Sequence, residues 1–344
     1  MIATVLSRSV GVEHRRAGTV PRRCGSRRPH DGSQRQGRPN GPDSIERAGT
    51  NIVKMEIMSE SQAFEREGYP AGVPCWVDIA PPDPDAAADF YGGLFGWRFE
   101  EPSPPGSSRY LIARIRGRDV AGVGSETSDG PSSPAWMTHI ATDDADETAR
   151  LVRAAGGRVL VDPVDVGDAG RTALCSDPSG AAFSIWQAGR RTGAQLVNEP
   201  GTWNFSELNT NDSEGAEAFY GAVFGWELSG FGDERSGSGL WRMPGYGDFL
   251  AERDPTVRER QADVGAPEGF EDAVAWLVPS SDGETPAHWS ITFAVDDADA
   301  AADRATELGG MVLVQPMDAP WVRMTVISDP QGAVFTASAF VPPT

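Results

Sequence analysis

Lysine is almost missing from this chain: Lys54 is the single one in 344 residues. Histidine is nearly as scarce, with four in all, and beyond residue 57 only His139 and His288 remain. A metal centre built from several histidines within one domain is therefore excluded. The three cysteines, Cys24, Cys75 and Cys175, are odd in number and far apart. They match neither a disulfide framework nor a zinc-ligand spacing, and they fit a reducing, cytoplasmic compartment. No apolar run approaches the 18 residues or so that a membrane-spanning helix needs. The start, Met1–Leu6, is too short for a signal peptide and is cut off by Arg8.

The charge that is present is unevenly spread. Residues 1–57 carry eleven basic against five acidic residues, a net +6, which leaves −26 on the remaining 287 residues of a chain whose total is −20. So acidic a body repels phosphate backbones, which disfavours nucleic acid as a partner. The basic segment is rich in Arg, Gly, Pro and Ser, has no apolar periodicity and is expected to be disordered. An organelle transit peptide or a nucleic-acid-binding arm would share that composition. The abrupt switch to acidity near Met58 favours a translated upstream extension, foreign to the native protein, with the start at Met55 or Met58. All ten tryptophans lie beyond residue 57, so the body has the aromatic mass to build cores.

That body repeats itself. Phe90-Tyr91-Gly92-Gly93-Leu94-Phe95-Gly96-Trp97 returns as Phe219-Tyr220-Gly221-Ala222-Val223-Phe224-Gly225-Trp226. Trp136 and Asp143-Asp144-Ala145 return as Trp289 and Asp296-Asp297-Ala298, and Gly156-Gly157 as Gly309-Gly310. Asp177-Pro178-Ser179-Gly180 returns as Asp329-Pro330-Gln331-Gly332. The order holds throughout, which predicts tandem domains over 72–190 and 201–342 joined by a linker at 191–200. The spacing lengthens in the second copy, so an insertion is expected near 244–268. There Asp254-Pro255 is a plausible start for a short helix. Each copy reads as two β-α-β-β-β halves. In the first half, strand Cys75–Ile79 is followed by a helix that opens at Asp83-Pro84 and stops at Gly96. Strands then fall near 97–100, 109–115 and 120–123. The second half has strand Trp136–Ala141, a helix over Asp144–Ala155, and strands near 158–161, 171–175 and 182–186. One helix on four strands leaves a face bare, so the halves should pair.

A paired βαβββ unit whose first helix ends in Phe-Tyr-x-x-x-Phe-Gly-Trp, with Asp-Pro-x-Gly before the last strand, resembles the vicinal oxygen chelate (VOC) superfamily of glyoxalase I, bleomycin-resistance proteins and extradiol dioxygenases. The tandem layout and the opening Pro74-Cys75-Trp76-Val77-Asp78 are similar to actinobacterial glyoxalase-like proteins. The resemblance implies an α+β fold: two tandem VOC domains, each a pair of βαβββ modules with curved mixed sheets around a cavity. It also implies where metal-dependent members keep their ligands. Those places hold Trp76, Met137 and Ser184 in the first domain and Phe205, Ser290 and Thr336 in the second. The fourth strands, Val120–Val123 and Ala273–Trp276, hold no acid. Indole, phenyl and thioether groups are not the hard N/O donors that such metals need, so no cofactor is expected.

A slip of two residues stays on the same strand face. It reaches Asp78, His139 and Trp186 in the first domain and Glu207, Thr292 and Ser338 in the second. With Val77 and Ile79 under the helix, Trp76 and Asp78 face the cavity. Three roles for Asp78 and His139 remain open. They can act as a general acid/base pair, as metal ligands completed by a third group such as Glu126, or as a satisfied structural pair. Trp97 and Trp226 read as core, Cys75 and Cys175 as buried and inert, and His288 as facing outward or into the domain interface. The expected function is metal-independent binding of a small aromatic or polyketide-like molecule. Trp76, Asp78, Tyr110, Met137, His139, Ser184 and Trp186 would line one cavity, and Phe205, Glu207, Thr292 and Thr336 the other. Proton-transfer or hydroxylation-type chemistry is left open. The alternatives are a divalent-metal lyase or dioxygenase using Asp78 and His139, and a purely structural module. The expected partner is a small molecule, with neither nucleic acid nor membrane involved. Four modules in one chain suit a monomer that is an internal pseudo-dimer, or else a homodimer.

Overall fold

The computed structural model describes residues 68–102, 109–125, 134–230, 237–280 and 285–341. The basic segment 1–57 and Glu126 lie outside them. The first copy contains β1 (Pro74–Ile79), α1 (Pro84–Phe95), β2 (Arg98–Glu100), β3 (Tyr110–Ile115) and β4 (Arg118–Gly124). It continues with β5 (Trp136–Thr142), α2 (Ala145–Ala154), β6 (Arg158–Val166), β7 (Gly170–Ser176) and β8 (Ala182–Ala188). The second copy opens with β9 (Trp203–Thr210), α3 (Ser213–Phe224), β10 (Glu227–Gly230) and β11 (Gly239–Arg242). After α4 (Tyr246–Arg253), α5 (Val257–Asp263) and a single 3-10 turn (Phe270–Asp272) comes β12 (Ala273–Pro279). The last module is β13 (His288–Ala294), α6 (Ala298–Glu307), β14 (Met311–Ala319), β15 (Val322–Ser328) and β16 (Val334–Phe340).

Local chemistry accounts for the helix limits. The Asp83 carboxylate accepts from the N–H groups of Asp85 and Ala86, and Pro84 follows where a missing N–H does no harm. Asp144, Asp212 and Asp297 cap α2, α3 and α6 in the same way. In the insertion, α5 begins at Val257, two residues after Pro255, because the Asp254 carboxylate closes on the N–H and hydroxyl of Thr256 instead. The 30 residues between β11 and β12, which hold α4, α5 and the 3-10 turn, stand where β3 and β4 are joined by Arg116-Gly117 alone.

Each copy forms one mixed eight-stranded sheet, in the order β2-β3-β4-β1-β5-β8-β7-β6 and, identically, β10-β11-β12-β9-β13-β16-β15-β14. The halves pair edge to edge through the antiparallel β1–β5 and β9–β13 contacts. The cores are then shared between copies. One core joins α1, β1 and Trp136 of the first copy to Phe293, Ala301, Ile327 and Phe335 of the second. The other joins Val152, Phe183 and Ile185 of the first to Phe219, Tyr220, Trp226 and Trp289 of the second. The helix of each module is thus covered by the far module of the other domain.

The repeated motifs close this arrangement reciprocally. The Tyr91 hydroxyl donates to Asp329 Oδ2 at 3.0 Å, and Tyr220 donates to Asp177 Oδ2 at 3.3 Å. Trp136 and Trp289 donate to those same two hydroxyls. The indoles of Trp97 and Trp226 reach the carbonyls of Gly201 and Gly72. Tyr91 and Tyr220 are fully buried, and each large aromatic of this kind contributes about 1.5–3 kcal/mol through burial. In each Gly-Gly pair the second glycine makes room for the other domain. A Cβ on Gly157 would lie 2.7 Å from the Phe219 ring, and one on Gly310 would lie 3.0 Å from Phe90. Among the described residues, no helix is long and apolar enough to cross a membrane.

Shared cores imply joint unfolding. Tyr91→Phe leaves buried Asp329 short of a donor and is expected to cost about 1–3 kcal/mol. Denaturation followed by tryptophan fluorescence and by circular dichroism should show one coincident transition in both proteins, shifted to lower denaturant in the variant. Two separate transitions, of which the variant moves one, would contradict the shared-core arrangement.

Candidate functional site in the two sheets

Strand register decides which side chains meet on the face turned away from the shared cores. Val77 and Ile79 point inward, and so does Thr138, whose hydroxyl bonds Ser206 of the other domain at 2.7 Å. Trp76 lies opposite His139, and Asp78 opposite Met137. His139 is in turn beside Ser184 on the parallel strand β8.

On this face of the first domain four side chains form a chain of polar contacts. Trp76 Nε1 donates to the Tyr110 hydroxyl at 2.9 Å, and Tyr110 donates to Asp78 Oδ2 at 2.8 Å. The other carboxylate oxygen, Oδ1, lies 2.9 Å from His139 Nε2. That contact is close but off-line, and neither ring nitrogen of His139 makes an aligned hydrogen bond within the protein. The imidazole is buried, while the Asp78 side chain keeps 20% of its exposure. Burial, and then the Asp78 charge, hold the Tyr110 hydroxyl well above its ordinary pKa, so it stays a donor. Tyr110 can lie there because position 122, opposite Asp78, is glycine; a Cβ would overlap the tyrosine hydroxyl.

The other expected residues sit around this cluster. Met137 flanks Asp78 and Ser184 flanks His139. Trp186 follows two residues beyond Ser184 on β8, with its indole donating to the Arg191 carbonyl at 2.9 Å. Arg191 belongs to the segment between the sheets, which packs onto the first sheet. Its guanidinium bonds Asp119 at 2.7 Å, and the Ala194 N–H bonds the Cys75 carbonyl.

The second domain places different chemistry at the matching positions. Glu207 stands for Asp78 and Thr292 for His139. Thr292 donates to Glu207 Oε1 at 2.6 Å and Ser290 to Oε2 at 3.1 Å, with Asn209 donating in turn to Ser290. Thr336 lies beside Thr292. Burial pushes the Glu207 pKa up, against the opposing effect of the two hydroxyl donors. Phe205, in the place of Trp76, packs edge-on against Trp276 and Phe270 at 5.8 and 6.2 Å. Trp276 pairs with Glu207 as Gly122 pairs with Asp78. His288 is exposed, with Nδ1 2.9 Å from the Pro286 carbonyl. Sequence reasoning missed Asn209, Trp276 and Gly122. Asn209 was within reach of strand alternation, two residues beyond Glu207. The other two required knowing which strands adjoin.

The profile of the Glyoxalase/Bleomycin resistance protein/Dioxygenase superfamily matches residues 75–185 and 203–336, one segment on each sheet. The chain belongs to this superfamily. Within it, the chain is 40% identical over 276 residues to the protein named "Putative glyoxylase CFP32" of Mycobacterium tuberculosis, covering 79% of this chain and 96% of that one. It is 34% identical over 281 residues to the "Anthracycline biosynthesis protein DauV" of Streptomyces sp., covering 78% and 93%. Among solved structures, the Mn(II)-bound glyoxalase of Novosphingobium aromaticivorans superposes with a TM-score of 0.51 at 16% identity, covering 78% of this chain and 82% of that one, a likeness of fold.

That glyoxalase is described as Mn(II)-bound. Here the donor set does not fit a metal. Among the described residues, no three His, Cys, Asp or Glu side chains are grouped to hold an ion. Both oxygens of Glu207 and one of Asp78 are already engaged by hydroxyl donors.

Glu207 gives a pH signature. Its raised pKa means that the folded state holds the proton more tightly, so its contribution is complete below the ordinary value of 4.5 and is lost as pH rises through the folded value. Between about pH 4 and pH 7 the stability of the natural protein should therefore fall relative to Glu207→Gln. Urea midpoints of both proteins across that range measure the gap; a gap independent of pH would contradict a raised Glu207.

Proposed function

We propose that the protein binds a small aromatic, polyketide-like molecule on the open face of its first sheet, without a resident metal, and that Asp78 and His139 move a proton on that ligand. The observation that carries this is His139: a buried imidazole with neither nitrogen in an aligned hydrogen bond, beside a carboxylate that Tyr110 holds in place. An imidazole so placed can accept a proton from a bound ligand, and the carboxylate stabilises the cation that forms. Trp76, with its indole tied to Tyr110, offers a flat face, and Met137 and Ser184 complete the surroundings. The second domain, with Thr292 in place of the imidazole, sets no base beside Glu207; it is less suited to the proton step and serves binding. The similarity to a protein named for anthracycline biosynthesis supports an aromatic ligand.

Two further parts of the reading concern setting. Cys75 and Cys175 are both free and buried, and burial pushes the Cys175 thiol up to about 12, which suits a cytoplasmic protein with unreactive thiols. The reciprocal cores satisfy within one chain the pairing that other βαβββ proteins reach by association, which suits a monomer.

The test combines ligand and metal. In a thermal-shift screen against polycyclic aromatic natural products and 2-oxoaldehydes, an aromatic ligand at 100 times its Kd should stabilise the protein by about 2.7 kcal/mol. His139→Gln should bind it about tenfold more weakly, through loss of one hydrogen bond worth about 1 kcal/mol or slightly more. Elemental analysis should find metal well below one equivalent. Stoichiometric Zn, Ni, Mn or Fe that disappears in Asp78→Asn would overturn the metal-free reading.

A further inference from the structure

The insertion in the second domain builds something that the first domain lacks. The 3-10 turn and helices α4 and α5 close over the start of β9 and leave a pocket of about 90 Å³. Its walls are mostly apolar, with Phe205, Phe270, Tyr246, Leu250 and Val274 among them. Two further lining residues are Trp203 and Gln261, and each carries a buried polar atom without a hydrogen-bond partner: the indole Nε1 of Trp203 and the amide Oε1 of Gln261. Trp203 is 5% exposed. An unpaired buried donor or acceptor costs roughly 1–3 kcal/mol, so both are expected to find partners in what enters the pocket. The pocket also holds the Glu271 carboxylate, paired with Arg258 at 3.1 Å. That carboxylate is already held by a cation, so it offers an ionic ligand no free counter-charge.

We infer that this pocket is a second binding site, for an uncharged aromatic ring that bears a hydroxyl. A phenolic hydroxyl both accepts and donates, which answers the Trp203 N–H and the Gln261 oxygen. The ring answers the aromatic walls, where edge-to-face contacts add to burial. The size sets a limit. A closed apolar cavity that takes up benzene measures ~150 Å³, so a pocket of about 90 Å³ grips one ring edge and leaves the rest of a larger ligand outside. Phe205 stands between this pocket and Glu207, and its ring packs on Phe270 on one side and Trp276 on the other. The pocket is thus walled by the insertion and β9 together with Tyr69, Val73, Pro74, Val197 and Asn198, and neither Asp78 nor His139 lines it.

Phenol is the probe. In ¹H–¹⁵N spectra of protein labelled at tryptophan nitrogen, the Trp203 indole signal, assigned by its loss in Trp203→Phe, should move saturably with phenol. Gln261→Leu, on the short surface helix α5, should weaken phenol at least fivefold, while anisole, which cannot donate, should bind more weakly to the natural protein and equally to both. The phenol response at Trp203 should persist in His139→Gln. A Trp203 signal unmoved by phenol, or a phenol Kd indifferent to Gln261→Leu, would overturn the second site. Loss of the response in His139→Gln would also overturn it as an independent site, while leaving the first-domain reading intact.

Discussion

The reciprocal pairing of a helix tyrosine with a turn aspartate of the other domain holds this molecule in its shape. Tyr91 and Asp329, and in mirror fashion Tyr220 and Asp177, are buried polar groups that no solvent can satisfy. Burial and the aspartate charge hold both tyrosines protonated, so each stays a donor. Around each bond the aromatic residues of both domains crowd within contact: Tyr91 on Trp136 at 5.2 Å, and Phe95 on Phe293 at 4.9 Å. A domain alone would expose the helices of both its modules and half of each core. The two sheets are in consequence fixed against each other through their helix-bearing sides, and their other faces carry the two polar clusters.

That division of labour explains the asymmetry of the two open faces. The first domain fills the space above its fourth strand with Tyr110, admitted by Gly122, and so ties Asp78 to a neutral donor with an imidazole alongside. The second fills the same space with Trp276 and surrounds Glu207 with hydroxyls. Carboxylates at matching positions thus have different neighbours: one beside an imidazole, the other enclosed by hydroxyl donors. The insertion adds walls to the second domain where the first has a two-residue turn.

Much of this was legible in the residues. Asp-Pro before an apolar run and Gly-Trp after it marked α1 within a residue, because capping is local chemistry. The alternation Trp76-Val77-Asp78-Ile79 separated the faces correctly, since a strand side chain has two directions to choose from. What stayed hidden was contact across strands and domains. The Phe-Tyr-x-x-x-Phe-Gly-Trp and Asp-Pro-x-Gly motifs were visible as repeats, but periodicity reports that a face is apolar and not whose sheet covers it. Gly157 read as a helix stop, and its second task, to admit Phe219, depends on a neighbour 62 positions away. Alternation placed Trp186 on the same face as Ser184, but the bond of its indole to the Arg191 carbonyl depends on a segment that alternation does not report.

The second glycine of each Gly-Gly pair has an evolutionary corollary. Since Gly157 receives Phe219 and Gly310 receives Phe90, each copy of the duplicated unit is a mould for the other, and a change in one must be answered in its twin. The duplicates are locked together along that seam and released everywhere else. The residues on their other faces are not bound by that seam, and they differ: an imidazole on one sheet and a hydroxyl at the matching place on the other.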